Sequence, residues 1–187
     1  MIINSIQESI AVKQRLLEHP FPERIQTVGN TIISALKSGH TIFVAGNGGS
    51  AADAQHFVAE LAGTYERKER KGLSAIALTT NTSNLTAIAN DYGYQYIFSR
   101  QLEGLAEKGN VLVAISTSGN SENILQGLKT AKEMKLVTIG LTGGNGGKMK
   151  EWCDVIIAVP SMSTPRIQEC HILIIHAICK MIDADFT

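Results

Sequence analysis

Residues able to do chemistry fall in three places along the chain. His56 and Glu60 stand four apart, so on a helix they share one face about a turn apart, where an imidazole and a carboxylate can hold a cation or move protons. Just before them runs Gly46-Asn47-Gly48-Gly49-Ser50. Its glycines let the backbone turn sharply and approach a ligand, and the helix start that follows offers free N–H groups to an anion, with Ser50 or Asn47 available as caps. The second place is Ser116-Thr117-Ser118-Gly119-Asn120-Ser121, four hydroxyls and a glycine between a buried strand and a helix start. Such a loop can hold a phosphate monoester without a lysine. The third is His176, a histidine flanked by Ile174, Ile175, Ala177 and Ile178 and therefore expected to be partly buried.

Each has a plainer explanation. His56 and Glu60 fit a solvated polar face, Ser121 fits an ordinary helix N-cap, and a buried histidine fits a hydrogen-bonded core residue. An N-cap needs one hydroxyl and the loop has four, which favours phosphate. Gly46–Ala51 also fits the relaxed dinucleotide pattern G-x-G-x-x-G/A, but the next strand ends in Thr79-Thr80-Asn81-Thr82 with no carboxylate for a ribose. The hydroxyl loop lacks the G-K-[ST] ending that ATP or GTP sites carry. Asn90-Asp91-Tyr92-Gly93 reads equally as a helix C-cap or as a pair that bonds sugar hydroxyls.

The elements that must position these groups follow from periodicity. Strand-like runs at Thr41–Ala45, Ser74–Leu78, Val111–Ile115, Leu136–Leu141 and Val155–Val159 alternate with helical ones near Gly49–Ala62, Thr82–Asn90, Tyr96–Glu107, Ser121–Met134 and Lys148–Trp152. A long last helix runs from about Thr164 to Ile182. This alternation predicts an α/β fold with a five-stranded parallel sheet flanked by helices. Ligands in such sheets bind at the carboxyl ends of the strands, which here carry the glycine turn and the hydroxyl loop. Two amphipathic helices within residues 1–39 precede the sheet; they can pack on it or form an interface with other copies of the chain.

A chain of 187 residues without linker or repeat suits one domain, 1–187. Lys+Arg and Asp+Glu both number 17, so no global charge draws it to nucleic acid or to anionic lipid. Cys153, Cys170 and Cys179 are odd in number and lack zinc-finger spacing, as expected of reduced thiols. No apolar run approaches the roughly 18 residues of a membrane span and the start has no apolar signal core, so the expected location is the cytoplasm.

Taken together, Gly46-Asn47-Gly48-Gly49-Ser50, His56-Phe57, Glu60-Leu61, Asn90-Asp91, Ser116–Ser121, Arg166-Ile167-Gln168-Glu169 and His176 closely resemble the phosphoheptose isomerases, a family with a sugar isomerase (SIS) domain. The resemblance covers nearly the whole chain. It implies a three-layer flavodoxin-like fold, a homotetramer with active sites near subunit interfaces, and one zinc ion per subunit at His56, Glu60, Gln168 and His176; in such an assembly the amphipathic helices of residues 1–39 are expected in the oligomer interface. It further implies substrate contacts from Asn47, Gly48, Gly49, Asn90, Asp91, Ser116, Thr117, Ser118, Ser121 and Gln168. The implied reaction converts sedoheptulose 7-phosphate to D-glycero-D-manno-heptose 7-phosphate, the first step of bacterial nucleotide-activated heptose biosynthesis. Glu60 would be the base and His176 the acid. Two positions depart from the family: Thr64 stands where arginine is frequent, and Pro165 where an acidic residue is known.

Gln168 and His176 are eight residues apart, about 12 Å along a helix axis. One ion joins both only if the side chains lean together or if two subunits contribute. A non-enzymatic alternative also exists among SIS proteins: tetrameric adaptors that bind the replication initiator and need neither Glu60 nor His176.

Overall fold

The computed structural model describes all 187 residues. Two helices open the chain, α1 (Ile2–Arg15) and α2 (Phe21–Lys37). Then come β1 (Ile42–Gly46), α3 (Gly49–Ala62), β2 (Ala75–Ala77), α4 (Thr82–Asp91), α5 (Ser99–Leu105), β3 (Val111–Ile115) and α6 (Glu122–Glu133). The chain finishes with β4 (Val137–Gly143), β5 (Val155–Val159) and α7 (Thr164–Asp185). The five strands are all parallel in the order β2-β1-β3-β4-β5. That is the flavodoxin-like order, and its switch point lies between β1 and β3, where Gly46 pairs with Ile115. The glycine turn and the hydroxyl loop therefore leave the sheet side by side.

Strand alternation divides the core. Ile42, Val44, Val111, Val113 and Ile115 face one layer, with Val28 and Ile32 of α2, Phe57 and Leu61 of α3, and Ile174 and Ile178 of α7. Phe43, Ala45, Leu112 and Ala114 face the other, with Phe98 and Leu102 around α5 and Ile124 and Leu128 of α6. Because both faces are covered, β1 and β3 are apolar throughout, as their sequences required. Of the two opening helices, α2 packs on its own sheet and α1 does not. No residue of α1 is buried, and Ile6 and Ile10 are 55% and 51% exposed. Arg166 ties α1 to the body through the Ser5 carbonyl at 3.0 Å and the Glu8 carboxylate at 3.3 Å.

Most boundaries move by one or two residues, the expected helix at Lys148–Trp152 is a 3-10 turn at Gly147–Glu151, and three further differences are instructive. The expected helix from Tyr96 to Glu107 is a 3-10 turn at Tyr94–Tyr96 followed by α5, because Gly93 at φ +105° redirects the chain just before it. The expected strand Ser74–Leu78 shortens to the edge strand β2, although bonds from Ile42 N–H to Ser74 O and from Leu78 N–H to Val44 O continue its ladder. Helix α7 runs three residues past Ile182, because the carboxylate of Asp183 has buried partners there.

Candidate active site

Helix α3 starts at Gly49 behind Gly48, whose φ of +56° is one that glycine adopts without Cβ strain. Neither Ser50 nor Asn47 caps it, contrary to expectation: no side-chain cap bond is made, and Ser50 is buried. Gly49 has a packing reason to be glycine. A Cβ there would lie 2.5 Å from Nε2 of Gln168, so the Gln168 amide of α7 rests directly on the turn.

Two helical turns further along both helices, α3 and α7 meet again. His56 Nε2 lies 3.0 Å from Glu60 Oε1 and 3.3 Å from His176 Nε2, and the imidazoles are edge-on with centroids 5.0 Å apart. The ligand atoms of these three side chains all lie within 4.8 Å of one another. Nitrogen and oxygen ligands 2.0–2.1 Å from a tetrahedral zinc are about 3.3 Å apart, so the donor set and its spacing fit that ion. Gln168 sits at the turn end of the same groove, beside Gly49, and makes no hydrogen bond to the three.

Between the two meeting points, on the same face of α3, is Asp53, which the sequence analysis did not single out. One of its carboxyl oxygens is buried without a hydrogen-bond partner. Burial pushes this carboxyl above the ordinary range, opposed by the charge of His56. The spacing Gly49-Asp53-His56-Glu60 was the available signal. Tyr65 also went unnoticed; its ring lies 5.5 Å from that of His176. At the departure Thr64, the hydroxyl is buried without a partner, and Pro165 occupies the first turn of α7, where its ring suits a helix start.

A buried ion pair holds the far end of α3. Arg70 Nε donates to Asp183 Oδ1 at 2.6 Å, and its other nitrogens donate to the carbonyls of Glu60 at 2.7 Å, Leu61 at 3.0 Å, Lys71 at 2.8 Å and Gly63 at 3.3 Å. The second Asp183 oxygen accepts from the backbone N–H groups of Glu66 and Arg67. Burial works against ionising Asp183, but these bonds outweigh it and leave the carboxyl below the ordinary range. A cation at the carbonyl end of a helix is also favoured by the helix dipole. The clamp fixes the turn of α3 that carries Glu60 against α7, which carries His176.

The hydroxyl loop departs from an ordinary cap. Ser121 occupies the N-cap position of α6 but makes no side-chain cap bond; its Oγ lies 3.1 Å from Ser116 Oγ. The start of α6 is thus left open to an anion. Ser118 and Thr117 border a cleft of about 230 Å³ whose other walls include Asn120, Asn145 and Thr164. Gly119, at φ +66°, lets the loop press on the backbone after β4, where a Cβ would lie 2.2 Å from Gly146 O.

Asn90 and Asp91 end α4 in the opposite layer. Asn90 Nδ2 donates to Asp91 Oδ1 at 2.8 Å, and neither side chain reaches another candidate residue. The helix is closed instead by the N–H groups of Tyr92 and Gly93 on the Ile88 carbonyl, which leaves both side chains free of the cap.

The model of the SIS domain matches residues 6–143. A phosphoheptose isomerase from Aliarcobacter butzleri is 53% identical over 181 residues, covering 97% of this chain and 93% of its own. Phosphoheptose isomerase 1 from Campylobacter jejuni is 50% identical, covering 99% and 100%. Among solved structures, a phosphoheptose isomerase from Neisseria gonorrhoeae superposes with a TM-score of 0.92 at 45% identity, covering 98% of this chain and 97% of that one. The chain therefore belongs to the SIS domain family and, within it, to the phosphoheptose isomerases, a group of sugar phosphate isomerases.

Proposed function

We propose that the protein interconverts sedoheptulose 7-phosphate and D-glycero-D-manno-heptose 7-phosphate through an enediol. The observation that carries this reading is the convergence of His56, Glu60 and His176 from two helices onto one point, beside a glycine turn and a hydroxyl loop. An adaptor would need neither Glu60 nor His176.

The phosphate is gripped by Ser116, Thr117, Ser118, Ser121 and the start of α6. Asn47, Gly48, Gly49 and Gln168 hold the sugar, with Asn90 and Asp91 reaching hydroxyls once subunits assemble. Glu60 takes a proton from carbon 1 of the ketose as the carbon 1–carbon 2 double bond forms and the carbonyl oxygen takes up the proton of the carbon 1 hydroxyl. His176 supplies the proton that returns to carbon 2 as the carbon 1 oxygen becomes that of the aldehyde. In the opposite direction the two exchange roles. Zinc held by His56, Glu60 and His176, with Gln168 as a further ligand from this or a neighbouring subunit, would supply positive charge near the developing oxyanion. Each proton carrier keeps a spare atom: Glu60 meets His56 through Oε1, and His176 through Nε2, which leaves Oε2 and Nδ1 for proton transfer.

Residues 1–187 act as a single SIS domain within a homotetramer, with the exposed face of α1 in the interface. No helix is long and apolar enough to cross a membrane. The reaction belongs in the cytoplasm, feeding heptose to lipopolysaccharide or capsule. The test is turnover of sedoheptulose 7-phosphate with and without added zinc; no product under either condition would return the case to the adaptor.

A further inference from the structure

Asn47 and Asn123 are 76 residues apart in the chain, one in the turn after β1 and the other in the first turn of α6, and their carboxamides face each other. Asn47 Nδ2 donates to Asn123 Oδ1 and Asn123 Nδ2 donates to Asn47 Oδ1, both at 2.8 Å. Tyr94 Oη donates to the same Asn47 Oδ1 at 3.1 Å. An amide oxygen has two lone pairs, so that of Asn47 is fully used, and its nitrogen retains one free hydrogen. Asn123 is only 2% exposed, which keeps it from touching a substrate itself.

A planar amide pair joined by two bonds resists both sliding and twisting. It spans the two elements that leave the sheet at its switch point, where Gly46 and Ile115 are paired. One of them is the glycine turn and the other runs from the hydroxyl loop into α6. We propose that Asn123 is a specificity-determining positioning residue: through Asn47 it fixes the distance between the phosphate grip and the turn that receives the rest of the sugar. The inference rests on the reading of those two elements as substrate contacts. A fixed distance measures the carbon chain between phosphate and carbonyl. A seven-carbon sugar places its carbonyl at the proton carriers, and a six-carbon sugar falls short.

The phosphate grip does not depend on the amide pair, because the backbone N–H groups at the start of α6 remain in Asn123→Ala and the bond between Ser116 and Ser121 lies outside the pair. The test is kcat/KM for sedoheptulose 7-phosphate and for fructose 6-phosphate, with inhibition by inorganic phosphate, in the wild type, Asn123→Ala, Asn47→Ala and the double variant. Asn123→Ala is expected to lose about 30-fold in kcat/KM for the seven-carbon sugar, in keeping with the loss that a small misplacement of reacting atoms causes. It should narrow the preference over the six-carbon sugar and keep the phosphate inhibition constant within about twofold. The double variant should be no worse than Asn47→Ala, whose loss includes its own contact to the sugar, since Asn123 acts only through Asn47. A reduced active fraction, as from poor folding alone, would lower both sugars equally and overturn the inference. So would wild-type kcat/KM in Asn123→Ala, or losses that multiply in the double variant. Should Asn123→Ala not fold, Asn123→Asp carries the test: it keeps one bond, from Asn47 Nδ2, and should lose about fivefold for the seven-carbon sugar, while wild-type behaviour overturns the inference. Absence of turnover in the wild type overturns the substrate reading and the inference together; normal wild-type turnover with unaffected variants overturns the inference alone.

Discussion

His56 Nε2 and His176 Nε2 face each other at 3.3 Å, and Glu60 Oε1 lies 3.0 Å from the first of them. One N–H on His56 can serve only one of these acceptors, so a cation among the three satisfies more lone pairs than a proton does. Zinc should therefore bind and raise the melting temperature. At a free concentration 100 times Kd the gain is about 2.7 kcal/mol, and a chelator should reverse it. His176→Gln should lower both metal content and the shift. Equal melting curves with zinc and with chelator, alongside full activity, would remove the metal from the site.

Glu60→Gln keeps the volume of the side chain and removes its basicity. The expected loss is roughly 10²- to 10⁴-fold in kcat, with inhibition by inorganic phosphate unchanged, since the hydroxyl loop lies outside the change. Near-normal kcat would take proton transfer away from Glu60.

Asp53 carries a buried oxygen that nothing in the chain bonds, a cost with no return in stability. Asp53→Asn removes the charge whose burial raises this carboxyl and should therefore stabilise the fold while lowering turnover, the pattern expected of a site group retained for function. Paired measurements of melting and kcat decide it. A variant of unchanged or lower stability with full activity would make Asp53 an ordinary helix residue.

His171 is fully buried, with Nε2–H bonded to the Thr142 carbonyl at 3.1 Å and Nδ1 unpartnered. Burial pushes its pKa down to about 4, against the opposing bond to Thr142. The unfolded chain, with an ordinary imidazole near 6.5, binds the proton first as the solution is acidified. Stability from this group is thus complete above about pH 6.5 and lost as pH falls toward 4, by up to about 3 kcal/mol. Denaturant titrations from pH 8 to 4 should show this slope, and His171→Gln should flatten it. An unchanged slope in the variant would assign the acid sensitivity elsewhere.

The apolar face of α1 predicts assembly. Ile6→Asp together with Ile10→Asp places two charges on that face and should shift sedimentation to smaller species, leaving far-ultraviolet dichroism intact. Wild-type sedimentation of the double variant would put the interface on another surface.

Much of the fold was legible because its signals are local. Helix α3 follows a glycine turn and runs from Gly49 to Ala62 as read, and β3 and β5 begin and end where their apolar runs do. Edge strand β2 was harder, since it has a single neighbour and its central Ile76 is exposed. In the site, the His56/Glu60 face and the surplus of hydroxyls at Ser116–Ser121 could be read from spacing alone. Asn123 and His171 could not. Each is a polar residue in a helix, and its burial depends on partners or packing that helical spacing does not reveal. Which element covers a polar side chain is decided by tertiary packing, and that information is spread over the chain.

The separation of the two histidines by 120 residues also sets an order on synthesis. β1, α3 and the next two strands of the sheet leave the ribosome well before α7 exists. At 5–20 residues per second, several seconds pass between the appearance of His56 and that of His176. Until the last helix docks and Asp183 reaches Arg70, the end of α3 has no anchor and the groove beside it lacks a wall. A nascent chain can therefore build its sheet but has no means of turning over sugar. Activity should appear only once α7 has docked, as a single late event rather than by degrees.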